Sequence, residues 1–270
     1  MKITNSKRVI YKHNPVHEVV FQVRFDPEIE VEAFLSDLQQ DFVERGYSKI
    51  SEGKAVGIKV ELGEGGYNNP TLAPPLSVYV SATEDDALSI SVCAEFLAVS
   101  SSNYTSWESF SPLALEATEI LCRHAGPQDI SRIGLRYMSL IERESLGLEG
   151  VPWHELIKPF LLGPLVPGAF SDTDEIPSES ETFHFSTQAM LQLDTCKLML
   201  QSSVLNATEG PQKAFMIDAD YFNDGPAITT LLSQPSELHT HLENLHSNAG
   251  ALFRRVITEK LHVALSPVTA

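Results

Sequence analysis

The ten residues Arg132-Ile-Gly-Leu-Arg-Tyr-Met-Ser-Leu-Ile141 constrain the fold more than any other stretch of the chain. Ile133, Leu135 and Tyr137 alternate with Arg132, Gly134 and Arg136, the period of two expected of a strand that buries one face. The opposite face carries two cations. The stretch lies near the middle of 270 residues and separates two halves. Residues 1–145 are expected to form an N-terminal lobe of strand, helix, three strands, helix and strand. Residues 146–270 are expected to form a C-terminal lobe of short helix, acidic loop, three strands and long helix. The implied class is α+β, with mainly antiparallel sheet in each lobe and helices covering it.

Within the first half, His17–Phe25 alternates so that Val19, Phe21, Val23 and Phe25 share a buried face. A helix is expected over Glu28–Gly46, with Val31, Phe34, Leu35, Leu38 and Phe42 at helical spacing. Strands are expected over Gly57–Leu62, Leu76–Thr83 and Ala87–Ser100, with a tight turn at Thr83–Asp86. Trp107–Ala125 reads as a helix closed by Gly126-Pro127. Pro112 allows its start to lie anywhere from Trp107 to Ser111.

In the second half, Val151–Lys158 reads as a short helix and Pro164–Glu181 as an acidic loop. Strands follow over Thr182–Leu193, Lys197–Asn206 and Lys213–Phe222. A long amphipathic helix over Ser236–Leu265 presents Leu238, Leu242, Leu245, Ala249, Leu252, Phe253, Val256 and Ile257 as one apolar stripe. A sheet gripping that helix is the simplest packing.

Charge narrows the function classes. The net charge of −17, from 36 acids against 19 Lys and Arg, argues against direct nucleic-acid binding through phosphates, which requires clustered cations. It suits solubility, a basic protein partner, or mimicry of nucleic acid. The three cysteines, Cys93, Cys122 and Cys196, are far apart and form no CxxC, so they read as reduced thiols in a cytoplasmic protein. No signal core or membrane-length apolar run is present in the sequence.

No nucleotide, hydrolase or zincin motif occurs, and no cofactor is expected. The run Gly63-Glu-Gly-Gly66 lacks the spacing of a phosphate cradle and reads as a loose connection. Asp218-Ala-Asp220 has the look of a calcium loop, but Phe222 stands at a ligand position and Thr229 where a chelating glutamate belongs. On a strand, Asp218 and Asp220 share a face about 6.5–7 Å apart. They can bind a ligand or pair internally with Arg24, Arg132 or Arg136. His239, His241 and His246 diverge on their helix and read as solvated or half-buried. Cys122-Arg-His124 lacks a third orienting group.

Two stretches resemble the signatures of a sporadically distributed family of bacterial proteins of about this length with no assigned activity. They are Asn14-Pro-Val-His-Glu-Val-Val-Phe-Gln-Val-Arg-Phe25 and Arg132-Ile-Gly-Leu-Arg-Tyr137. The family opens with N-P-x-x-E-V-V-x-x-V-R-F and carries a central R-x-G-L-R-Y/F-x-N-R-I. Ser139 and Leu140 stand here where that pattern has Asn and Arg. The resemblance implies an accessory role in a mobile-element, toxin-neutralising or phage-defence system.

Two functions are therefore expected. One is a non-enzymatic binding protein with a protein partner, possible also as a homo-oligomer. The other is an anionic-ligand site or enzyme between sheet and long helix, with Arg24, Arg132, Arg136, Asp218 and Asp220 as the ligand-binding residues.

Overall fold

The computed structural model describes residues 1, 9–55, 58–59, 62–63, 66–67, 71–72, 75–167, 184–206 and 213–269. Its class is α+β, as expected, and its helices pack on a large antiparallel sheet. Strand β1 (Val9–Tyr11) stands apart from that sheet. The first half contributes β2 (Val16–Phe25), β3 (Lys49–Ala55), β4 (Leu76–Ala82), β5 (Leu88–Val92), β6 (Phe96–Ser101) and β7 (Ile130–Glu142). The second half contributes β8 (Phe185–Gln192), β9 (Lys197–Asn206) and β10 (Lys213–Asp224). All nine belong to one sheet in the order β8-β9-β10-β7-β2-β6-β5-β4-β3. Strands from the two halves meet where β7 pairs with β10, from Arg132↔Asp224 to Glu142↔Ala214.

The alternation of β7 decides what lies where. Leu135 sits between Phe21 on β2 and Tyr221 on β10, and Ile133 and Tyr137 repeat the pattern against Val23 and Val19. These side chains are 8% exposed or less. Three helices add to this core: α1 (Leu35–Val43) packs against β4, while the two long ones cover the centre. Among these, α2 (Trp107–Ala125) buries Phe110, Ala114, Ala117, Ile120 and Leu121, and α3 (Pro235–Val256) buries Leu238, Leu242, Leu245, Ala249 and Leu252. A fully buried Leu, Ile or Phe contributes ~1.5–3 kcal/mol. An exposed ion pair contributes about 0–1 kcal/mol. The apolar face therefore dominates the stability of the fold.

Several elements differ from the sequence reading. The helix expected over Glu28–Gly46 is only α1 (Leu35–Val43), preceded by a 3-10 turn at Val31–Ala33. The chain before that turn stays tied to its neighbours, because Ile29 N–H donates to Ala94 O and Asp26 N–H to Asp129 O. The strand expected over Ala87–Ser100 is two strands, β5 and β6, folded back at Cys93-Ala94-Glu95, where Cys93 N–H donates to Phe96 O. Half of the strand expected over Gly57–Leu62, residues 57, 60 and 61, lies outside the described residues. So do residues 168–181 of the acidic loop and 182–183 of the strand expected after it.

The short helix expected over Val151–Lys158 is a 3-10 turn at Trp153–Glu155, followed by others at Pro159–Leu161 and Gly163–Leu165. Pro152, Pro159 and Pro164 lack the N–H groups that a longer helix needs. The final helix is divided. It ends at Val256, and α4 (Glu259–Ala264) begins after a Thr258 cap whose Oγ accepts from Leu261 N–H. The break is made by the preceding segment. Lys158 N–H donates to Val256 O, Thr258 N–H donates to Leu156 O, and Ile157 bridges Ile257. Strand β11 (Pro267–Thr269) then pairs with β1, Val9 opposite Thr269. No helix among the described residues is long and apolar enough to cross a membrane.

Candidate functional site

Arg24, Arg132, Arg136, Asp218 and Asp220 alternate with the core residues of β2, β7 and β10, and so project from the sheet face opposite the core. Arg136 grips the buried Asp218 with two charge-assisted bonds, Nε to Oδ1 at 2.7 Å and Nη2 to Oδ2 at 2.5 Å. Arg132 Nη2 donates to Asp220 Oδ2 at 2.6 Å, and its guanidinium carbon lies 4.4 Å from the centre of the Phe222 ring. Arg24 pairs instead with Glu95 at 2.6 Å. Asp220 stands directly opposite Arg136 in the ladder, yet Arg136 takes Asp218, two residues along β10, while Arg132, opposite Asp224, reaches four residues along to Asp220, so both pairs run diagonally.

Electrostatics on this face are divided. Burial raises the Asp220 carboxyl above its ordinary range, outweighing the attraction of Arg132 and Arg136. The bond to Asp218 raises Arg136 further. The three arginines all have carboxylate partners, which is the internal ion network that the sequence allowed. None of the five residues lines the space between sheet and α3.

That space is nevertheless a cavity, of about 350 Å3. Its floor is Tyr137 and Ser139 of β7 with Ile217, Ala219 and Tyr221 of β10. Its roof is the α3 face carrying Glu243, His246, Gly250 and Phe253, at helical spacing. Tyr104–Trp107, Asn14–Val16 and Val9–Tyr11 complete the wall, with Asn14 lying against Tyr104. The void arises because Ser139 and Ala219 below meet Ala249 and Gly250 above, all small, where larger side chains would fill it.

The polar groups are concentrated at the Trp107 end. The indole stacks on His246, with ring centres 4.5 Å apart and planes 7° from parallel, and Nε1 donates to Glu243 Oε1. The Tyr137 hydroxyl and His246 Nδ1 share a hydrogen bond of 2.9 Å, and Tyr104 meets the Tyr137 ring edge-on at 5.7 Å. Burial foremost, with the charge of Glu243 among lesser causes, pushes the Tyr137 phenol well up, so it stays protonated. Asn14 holds the wall in place: Nδ2 donates to Tyr104 O at 2.7 Å, and Oδ1 accepts from Val16 N–H. Pro15 O accepts from Leu140 N–H.

Sequence reasoning overlooked most of this site. It placed His246 as solvated or half-buried and gave no role to Tyr104, Trp107 or Glu243. A signal was present in Asn14 and Ser139, which stand in or beside the two resembling stretches and line the cavity, Asn14 just before β2 and Ser139 on β7. The other motifs stay apart. His124 Nε2 bonds Asp41 at 2.8 Å, while Cys122 Sγ lies toward Leu232 O, its thiol pushed up by burial. His241 bonds Asn223, and His239 is half-exposed. No group of three or more His, Cys, Asp or Glu among the described residues is placed to hold a metal. No family model, curated protein or solved structure matches the chain.

Proposed function

We propose that the chain is a non-enzymatic protein that binds a small molecule between α3 and the sheet. The cavity of about 350 Å3 carries this reading. Small-molecule sites are concave and mostly apolar, with a few placed polar groups, and start at roughly this size. The aromatic and aliphatic walls, with polar groups gathered at one end, match that description. The polar side chains bond one another rather than forming a nucleophile beside a base, which favours binding over turnover.

The test is occupancy. A fragment set screened by ligand-observed NMR should give binders that raise the unfolding temperature and change Trp107 fluorescence. Ala219→Leu, which extends a side chain from the floor, should abolish that binding without lowering the midpoint of unfolding in urea. Binders that are indifferent to Ala219→Leu, or a screen with none, would refute the reading.

The net charge of −17 supports a second reading, an acidic cytoplasmic protein that docks a basic protein partner. With the resemblance described above, it fits an accessory component of a mobile-element, toxin-neutralising or phage-defence system. It predicts capture of one specific cationic protein at low salt that is lost as salt rises; capture that is indifferent to salt would count against it.

A further inference from the structure

We infer that the cavity takes a compact cation, a protonated amine on an apolar or aromatic body; this rests on the small-molecule reading above. Two charged side chains, Glu243 and Arg254, stand among the residues lining the cavity. Arg254 is already matched, its Nη2 donating to Glu259 Oε2 at 2.5 Å. Glu243 is not matched in the same way. Its bonded partner, the Trp107 indole, is a neutral donor, and its ion-pair partner among the described residues is His239, at 3.7 Å and charged only when protonated. Among the described residues, the polar end of the cavity therefore carries a carboxylate with no Lys or Arg set against it.

The Glu243 side chain is 43% exposed, so solvent screens part of its field, and the apolar walls beside it strengthen what remains. Tyr104, Trp107 and Tyr137 line the same end, and aromatic rings attract cations over their faces. The His246 stack and the bond to Glu243 fix the Trp107 ring, so little order has to be created on binding. The charge of −17 over the whole chain further raises the local concentration of cations. A carboxylate or phosphate ligand would meet Glu243 with the nearest lining arginine already engaged.

The experiment compares matched probes on the intact chain by ligand-observed NMR at low salt: phenethylamine and tryptamine, 3-phenylpropionate and indole-3-acetate, and the neutral 2-phenylethanol. The amines should bind in preference to the acids and the alcohol. Glu243→Gln keeps an oxygen for the Trp107 N–H, and should weaken amine binding by about tenfold. Glu237→Gln, which removes an exposed acid from the first turn of the same helix, should leave it unchanged. Preference for the acids or the alcohol, or equal loss in both variants, overturns the cation while leaving a ligand cavity in place. Absence of binding by every probe together with an empty fragment screen overturns both.

Discussion

The guanidinium of Arg132 occupies the space that a side chain on Gly134 would need: a Cβ at residue 134 would lie 2.8 Å from Nη1 and 3.2 Å from Cζ. Gly134 is opposite Gln22 on one side and Phe222 on the other. Arg132 lies across this bare backbone, stacks on Phe222 and reaches Asp220. The glycine of Arg132-Ile-Gly-Leu-Arg136 is thus explained by the arginine two residues before it.

Gly134→Ala should displace that guanidinium and weaken both its ion pair and its stack, destabilising the fold by about 1–2 kcal/mol. In an Arg132→Met background the same substitution should be close to neutral. Urea unfolding of the four proteins closes a double-mutant cycle, and additive effects would show that the two residues are not coupled.

Arg136→Met should be costly, about 2–4 kcal/mol, because it leaves the buried Asp218 carboxylate without its counterion. Adding Asp218→Leu should restore most of the loss, since an apolar pair avoids desolvating two charges. If the double variant is as unstable as the single one, the pair has a role that simple charge matching does not explain.

Gly250 lies within the 22 residues of α3, and a Cβ there would meet nothing within 4 Å. Gly250→Ala should therefore raise stability by about 0.5–1 kcal/mol through helix propensity alone. Thermal and urea unfolding measure this. A drop in stability would mean that the space beside the cavity mouth is smaller than the backbone geometry implies.

Burial depresses the His241 imidazole below its ordinary value of 6.5. The folded protein therefore binds fewer protons than the unfolded chain in the interval just below that value. The associated stability is complete above pH 6.5 and is lost as pH falls toward the depressed value. The slope of unfolding free energy between pH 7.5 and pH 5 should be shallower in His241→Gln than in the parent. Equal slopes would assign the acid sensitivity elsewhere.

Period-two alternation revealed β2 and β7 in the sequence because both bury one face against a continuous core. The turn at Cys93–Glu95 lacks Gly and Pro, yet its trace was present in parity: Ile90 and Val92 are buried at even positions, Leu97 and Val99 at odd ones. Strand β3 was obscured because Lys49–Ala55 lies at a sheet margin and is largely exposed, so no apolar pattern marks it. The division of the last helix at Ile257 depends on backbone bonds from Leu156 and Lys158, a hundred residues away in sequence, which no local pattern records. The five charged candidates were identified as able to pair, and the structure places them outside the lining of the cavity under α3. A pocket between sheet and long helix was expected, but its lining was not legible, because small residues such as Ser139, Ala219 and Gly250 contribute to it and only the tertiary fold brings them together.

The position of β7 between β2 and β10 also has a bearing on biogenesis. As the polypeptide leaves the ribosome, β2 is already available to pair with β7, but the other margin of β7 must wait until residues 213–224 emerge. Through that interval thirteen residues of β7, rich in Ile, Leu and Tyr, offer open N–H and C=O groups to any neighbouring nascent chain. A truncated product ending near residue 145 should accordingly form inclusion bodies, and supplying residues 146–270 in trans during synthesis should rescue it.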